Sequence, residues 1–387
     1  MIPYGRQDIS DADIAAVVDV LRSDFITQGP AVPAFEQTVA TYCGAAHAIA
    51  VNSATSALHI ACLALGVGPG DIVWTSPITF VASANCALYC GATVDFVDID
   101  STTANISVDA LREKLEAAKA SNTLPKVVIP VHLCGTSCDM RAIRALGDQY
   151  GFRIIEDASH AIGGRYLDEQ IGSCRYSDIT VFSFHPVKII TTGEGGMAVT
   201  NDDELAQAMN LLRSHGVTRD PALMTGDSNG GWYYQQVVLG FNYRITDIQA
   251  ALGTSQMTRI DEFVQRRHEI ADWYDEHLID LPITTLARPN DSYSALHLYV
   301  IQLELDNASR SHREVFDNLR AQGIGVNLHY IPVYTHPYYK QLGFKAGMCP
   351  MAEAYYARAI SIPMFPGLRD EDLATVKNAL GAAVVRP

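Results

Sequence analysis

Residues 180–197 read TVFSFHPVKIITTGEGGM, and the one lysine in that stretch is placed for covalent chemistry. Thr180 to Phe184 is a β-branched and aromatic run, which reads as a buried strand. Pro186 and the glycines at 193, 195 and 196 end regular structure after it. Lys188 therefore falls in a turn just past a strand, in the apolar company of Phe182, Phe184, Val187, Ile189 and Ile190. Desolvation favours the neutral amine, the form that attacks a carbonyl and holds it as an imine. A surface lysine beside a hydrophobic strand has the same local pattern, so other segments must decide.

Three further stretches carry candidate groups. The strand-like run from His47 to Val51 leads through Asn52 to Thr55 into the apolar helix SALHIACLAL. Ser53, Thr55 and Ser56 place hydroxyls beside a helix start, whose unpaired amides and positive dipole end suit a phosphate; ordinary N-capping explains the same residues equally well. Asp157 closes the strand FRIIED. A carboxylate buried there needs a cation or strong donor, and a protonated pyridine nitrogen is one such partner; an N-cap for the turn ASHAIGG is the plainer role. Phe80 could lie on a ring or fill core, and His160 could donate to a cofactor oxygen or be structural.

The elements that must position these groups alternate. Strand-like DIVWTSP, TVDFVDID, KVVIPVHL, FRIIED, DITVFSF and GGMAVT are interleaved with helical periodicity over residues 80–90, 108–120 and 140–150. That pattern predicts an α/β fold with a mostly parallel sheet covered on both faces, and such sheets bind ligands at the carboxyl ends of their strands. The Ser53 to Ser56 turn, Thr79/Phe80, Asp157 to His160 and Lys188 all fall at those ends. Helices are also expected over 10–22, 32–43 and 203–214. The polar, Gly-rich excursion that follows is too long for an idle loop. A long amphipathic helical region starts at the Thr246/Asp247 cap. Residues 1–250 are expected to form the large domain and 251–387 a smaller α+β domain, whose strands and helices proper, including HLYVIQLEL and GVNLHYIPV, begin near Leu286. In the second domain His329, Tyr330, Tyr334, His336, Tyr338 and Tyr339 gather polar aromatics suited to sugar or base contacts, or to an interface.

Composition narrows the classes. With 28 basic residues against 43 acidic ones, the 387-residue chain carries a formal charge of −15 and repels a nucleic-acid backbone. The acidic N-terminus lacks a signal-peptide core, and no apolar run reaches the ~18 residues of a membrane span. The simplest reading is a cytoplasmic protein with neither membrane nor nucleic acid as partner. Eight cysteines without secretion signals are expected reduced. The Cys86/Cys90 and Cys134/Cys138 pairs have CxxxC spacing, which fits buried thiols better than a four-thiolate zinc site, so no metal is expected.

Taken together, ITQGP, NSATSALHIACLALGVGPGD, TFVASANCALYCGATVDFVDID, PVHLCG, EDASHAIGG, SFHPVKIITTGEGGMAVT, GFNYRITDIQAALG and FPGL resemble the DegT/DnrJ/EryC1/StrS family of sugar aminotransferases almost end to end. EDASHA followed by SFHPVK and GEGG at this spacing is the specific part. The resemblance implies fold type I, pyridoxal 5'-phosphate as cofactor, and a homodimer with shared active sites. It implies that Lys188 carries the cofactor and then moves the proton, Asp157 pairs with the pyridine nitrogen and His160 meets the phenolic oxygen. Thr55, Ser56 and Ser183, with Asn242 from the partner chain, would hold the phosphate, and Phe80 would cover the ring. Tyr4, Asp24, Phe25, Ile26, Thr27, Ala54, Ser183, Asn242, His329, Tyr330, Ile331 and Pro332 match positions expected to bind the nucleotide sugar; His185 is assigned no role.

NSATSAL, SFHPVKIITTGEGG, HLYVIQL and NLHYIPV followed by HPYY most resemble the family branch that makes UDP-4-amino-4,6-dideoxy-N-acetyl-altrosamine for pseudaminic acid. The implied partners are a UDP-4-keto-6-deoxy-N-acetylhexosamine and the L-glutamate/2-oxoglutarate pair. Family members that dehydrate sugars lack the lysine, so Lys188 argues for transfer. Other aminations at sugar carbon 3 or 4, or a fold type I desulfurase or decarboxylase, are the enzyme alternatives. A nicotinamide oxidoreductase is disfavoured because the first strand is followed by NSATS and not GxGxxG. A non-catalytic regulator would need a DNA-binding or effector segment for which the chain leaves no room.

Overall fold

Seven short runs of apolar and β-branched residues form the central sheet of the computed structural model, which describes residues 1–305 and 310–384. In chain order they are β1 (His47–Val51), β2 (Ile72–Thr75), β3 (Thr93–Phe96), β4 (Val127–Ile129), β5 (Arg153–Asp157), β6 (Ile179–Ser183) and β7 (Gly196–Thr200). They lie side by side in the order β1-β7-β6-β5-β4-β2-β3. Pairing is parallel from β3 through β2, β4 and β5 to β6; β7 runs antiparallel to both β6 and β1. Every strand but β7 therefore ends on one edge, where β7 begins. β4, β6 and β7 are buried at every position, as a sheet covered on both faces requires.

The helices between these strands follow the expected periodicity. α1 (Asp11–Arg22) starts with a capping box at Ser10 and Asp13, and α2 (Ala31–Cys43) ends at Gly44 in the left-handed conformation. α3 (Ala54–Ala64) is apolar on nearly every face and is packed between sheet and neighbours. α4 (Ala82–Tyr89) is shorter than expected: its first turn begins after Phe80, whose ring is left outside the helix and 60 % exposed. α5 (Val108–Ser121), α6 (Met140–Tyr150) and α7 (Asp203–Arg213) complete the set.

The long helical region is two helices, α8 (Asp247–Met257) and α9 (Ile260–His277). Asp247 is fully buried because it does the work that Pro30, the residue before α2, cannot do as a cap. Its carboxylate accepts the N–H groups of Gly29 and Ala31 at 2.8 Å each. Asp13 similarly ties α1 to α8, accepting from Ser255, Gln256 and Arg259.

Beyond α9, β8 (Ile283–Thr285), β9 (Tyr299–Leu303) and β10 (Ala359–Ile362) make an antiparallel three-stranded sheet with its own apolar cluster. GVNLHYIPV was expected as one of its strands and is not. Only Asn327 bridges to Ser361, after which the chain turns in so that His329 and Tyr330 face a cavity. That bridge lies beside the strand AISI, which was not expected from the sequence and pairs with β9 on its other side. All eight cysteines are buried and unbridged, and no helix among the described residues is long and apolar enough to cross a membrane.

Candidate active site

The shared strand edge opens into a cavity of about 560 Å³. Each wall follows from a strand end: Ser53, Ala54 and Thr55 after β1, Thr79 and Phe80 after β2, Val131 after β4, Asp157, Ser159 and His160 at β5, and Ser183, His185 and Lys188 after β6. Glu194 and Gly195 precede β7, and His297, Asn327, Leu328, His329 and Tyr330 close the far side together with Tyr4.

The Lys188 backbone N–H donates to the His185 carbonyl at 2.9 Å, and its side-chain amine has no hydrogen-bond or ion-pair partner among the described residues. Burial pushes its amine from the ordinary 10.5 down to about 8, with Asp157 pulling weakly the other way. At pH 7 that leaves ~10 % of the amine neutral, against ~0.03 % for an ordinary lysine. Asp157 is anchored by donors on both oxygens. Ser83 Oγ donates to Oδ2 at 2.5 Å, and Ser159 donates to Oδ1 through its hydroxyl at 2.6 Å and its N–H at 3.1 Å. The carboxylate therefore keeps one orientation, with its charge available to a cation in the cavity.

Three histidines face the amine, and all are neutral. Cys134 N–H donates to His160 Nδ1 at 3.3 Å, and Asn327 Nδ2 donates to His329 Nε2 at 3.3 Å, so each ring has an acceptor nitrogen and one proton left for its other side. His329 gives that proton to Ser361 Oγ at 2.8 Å. Burial, then the nearby Lys188, holds His329 down to about 3 and drives His160 and His297 well below the usual imidazole range. His297 is 3 % exposed and its Nδ1 has no partner among the described residues.

At the other end, α3 offers its first turn. Ser53 Oγ caps the Ser56 N–H at 3.1 Å, and Ser56 Oγ is turned inward to Asn52 Oδ1 at 2.7 Å. The N–H groups of Ala54 and Thr55 have no intrahelical acceptor and belong to residues lining the cavity, as do the Thr55 and Ser183 hydroxyls. Gly196 makes this closeness possible: a Cβ there would lie 2.4 Å from the Ala54 nitrogen and 2.5 Å from the Ser53 carbonyl carbon.

The structure thus brings together Lys188, Asp157, His160, Thr55, Phe80, Ser183, Tyr4, Ala54, His329 and Tyr330. It does not bring in Ser56, which is buried behind the turn, or Ile331 and Pro332, which do not line the cavity. Asp24, Phe25, Ile26, Thr27 and Asn242 are exposed and do not line this chain's cavity. Sequence reasoning missed Ser83, Ser159, His297 and Asn327. Ser159 had a signal, since a serine two residues after an aspartate commonly donates back to it; Ser83 had none, because its partner is 74 positions away.

A depressed-pKa amine, a fixed carboxylate and a helix N-terminus with free hydroxyls form a donor set that fits pyridoxal phosphate: an aldehyde, a ring nitrogen and a phosphate.

Comparison with known proteins agrees. Residues 7–381 match the DegT/DnrJ/EryC1/StrS aminotransferase family. The chain is 42 % identical over 382 residues to the spore coat polysaccharide biosynthesis protein SpsC of Bacillus subtilis, covering 98 % of this chain and 96 % of that one. It is 37 % identical over 381 residues, with the same coverage, to the UDP-4-amino-4,6-dideoxy-N-acetyl-beta-L-altrosamine transaminase of Campylobacter jejuni. Among solved structures, Helicobacter pylori PseC, an aminotransferase involved in the biosynthesis of pseudoaminic acid, superposes with a TM-score of 0.90 at 32 % identity, covering 99 % of each chain. The sugar aminotransferase Spr1654 of Streptococcus pneumoniae, described as putative, gives 0.90 at 31 % identity and 99 % coverage of each chain in its PMP form; a PLP form is also similar. The chain belongs to the DegT/DnrJ/EryC1/StrS aminotransferase family and is a pyridoxal-phosphate-dependent sugar aminotransferase of fold type I.

Proposed function

We propose that this enzyme moves the amino group of L-glutamate to C4 of a UDP-4-keto-6-deoxy-N-acetylhexosamine, giving UDP-4-amino-4,6-dideoxy-N-acetyl-altrosamine for pseudaminic acid synthesis. The observation that carries the chemistry is Lys188 and Asp157 lining one cavity from neighbouring strands. The sugar assignment is supported by the similarity to the Campylobacter transaminase and to PseC. A second reading is another nucleotide-sugar 3- or 4-aminotransferase of the same family, since the identity to a spore coat polysaccharide biosynthesis protein, 42 %, is higher than that to the Campylobacter transaminase, 37 %.

In this reading Lys188 would hold the cofactor through its amine, and the same amine, neutral in the cavity, would be the base that moves the proton of the donor or sugar carbon. Bound pyridoxal phosphate supplies an electron sink for the carbon that loses its proton. Asp157, fixed by Ser83 and Ser159, keeps the ring nitrogen protonated. Thr55, Ser183 and the first-turn amides of α3 hold the phosphate, and Phe80 covers the ring. Residues 1–250 thus supply the cofactor groups, while 251–387 supply the His329–Tyr330 wall facing the sugar.

A homodimer accounts for the residues left outside. Lys188 is the one Lys or Arg among the described residues lining the cavity, too little positive charge for a nucleotide diphosphate. Phe25 and Ile26 are 55 % and 51 % exposed, and Leu239, close in sequence to Asn242, is 77 % exposed. A second copy seated on these faces would bury them and bring its Asn242 to the site.

The test is to incubate the enzyme with glutamate and a UDP-4-keto-6-deoxy-N-acetylhexosamine and follow the sugar by mass spectrometry. An aminated product with 2-oxoglutarate is expected. No amination of that sugar, with cofactor still bound, would remove the sugar assignment and leave the cofactor chemistry standing.

A further inference from the structure

The Cys86/Cys90 pair takes no part in the site described above, yet its two thiols meet a third. Cys86 lies inside α4 and Cys90 just past its last residue, while His59 and Cys62 share one face of α3, which packs on α4. The Cys62 thiol is hydrogen-bonded to those of both Cys86 and Cys90, and Cys90 is also bonded to His59. Cys62 and Cys86 are fully buried, and Cys90, at 9 %, is the most exposed of the three.

These thiols are not equivalent. The hydrogen bond from Cys62 holds the Cys90 thiol below the ordinary range against the pull of burial, and His59 adds to this. The bonds to Cys86 and Cys90, with burial, raise Cys62 well above it. The proton between Cys62 and Cys90 therefore rests on Cys62, and Cys90 carries the nucleophilic sulfur. Cys86 is engaged within its own helix, its Sγ donating to the Ser83 carbonyl at 3.3 Å. Elsewhere burial makes thiols inert, raising Cys43, Cys134, Cys174 and Cys349.

We propose that Cys90 and Cys62 are a site of reversible oxidation by hydrogen peroxide, closing a disulfide between α3 and α4. The Cys90 sulfur attacks one peroxide oxygen, the O–O bond breaks, and hydroxide leaves a sulfenic acid on Cys90. The Cys62 sulfur then attacks that sulfur, the S–O bond breaks, and the Cys62 proton leaves with the oxygen as water. Two thiols give up two electrons, and the peroxide that takes them ends as two waters. Because Cys90 follows the last residue of α4, its sulfur can come to the about 2.05 Å of a disulfide without unwinding the helix. The new bond draws Cys90 off His59. His59 Nδ1 lies 3.1 Å from Tyr243 Oη and its ring 4.8 Å from that of Phe241, the two residues that flank Asn242. Oxidation is thereby felt at Asn242 and weakens cofactor binding, a consequence that rests on Asn242 serving the partner's phosphate as proposed above.

The experiment is to treat the native holoenzyme with hydrogen peroxide, alkylate the remaining thiols, digest without reductant and identify cross-linked peptides by mass. A Cys62–Cys90 link that dithiothreitol reverses is expected. Cys90→Ser should abolish it, Cys86→Ser should retain it, and Cys62→Ser should strand Cys90 as a sulfenic acid that dimedone labels. The affinity for pyridoxal phosphate should fall several-fold on oxidation and recover on reduction, with no such change in Cys90→Ser. No cross-link in the native protein, a Cys62–Cys86 link in its place, or a dimedone label on another cysteine overturns the site. A Cys62–Cys90 link with unchanged cofactor affinity overturns its coupling to Asn242. The cross-link is read by mass whether or not any sugar is aminated, so its failure is distinct from failure of the proposed function.

Discussion

Ser83 and Asp157, 74 residues apart in sequence, meet at 2.5 Å, the serine hydroxyl donating to the carboxylate that faces the cavity. A hydrogen bond to a charged group is worth about 1.5–3 kcal/mol, more than a neutral one. Ser83→Ala leaves Asp157 Oδ2 without its donor and free to rotate off line. The affinity for pyridoxal phosphate, measured by fluorescence titration of the stripped protein, should fall about tenfold or more. Unchanged affinity would show that Asp157 does not depend on this anchor.

Lys188 predicts a pH dependence of stability in the cofactor-free protein. Its folded pKa, about 8, lies below the ordinary 10.5, so folding disfavours the charged form. The cost is carried in full below pH 8 and disappears as pH rises from about 8 to 10.5. It amounts to at most about 3 kcal/mol, less where the amine meets cavity solvent. Relative to Lys188→Met, the wild-type apoprotein should gain stability over that window in urea melts. A difference that stays flat across it would mean the amine is solvated.

Gly196 carries a steric prediction. In Gly196→Ala the new Cβ would stand 2.4 Å from the Ala54 nitrogen, so the first turn of α3 must move off β7. The expected outcome is a stability loss of about 1–3 kcal/mol, as in other overpacked sites, together with a marked loss of cofactor affinity. A variant that melts lower but binds pyridoxal phosphate normally would separate the α3 turn from phosphate binding.

Much of this site could be read before the structure, for a physical reason. Burial on both sheet faces leaves its mark in β5 and β6 as apolar runs, so their ends, Asp157 and Lys188, could be placed on one edge from periodicity alone. Contacts made by small polar side chains across the fold leave no such mark. Ser83 and His297 were therefore missed, and Ser56 was expected at the cavity although its hydroxyl turns back to Asn52. NLHYIPV has the composition of a strand, but after Asn327 pairs with Ser361 it leaves the small sheet, and Tyr330 meets His160 in the cavity wall. Residues 24–27 and 242 could be placed only by family resemblance, since within one chain they face solvent.

The central claim is that Lys188 holds the cofactor. Treating the holoenzyme with borohydride fixes a lysine-bound pyridoxal group irreversibly, and digestion with peptide mass analysis then locates it. The account predicts the added mass on the peptide containing Lys188, and its absence, together with loss of the visible band, in Lys188→Ala. A label on any other lysine, or a visible band that survives Lys188→Ala unchanged, would contradict it.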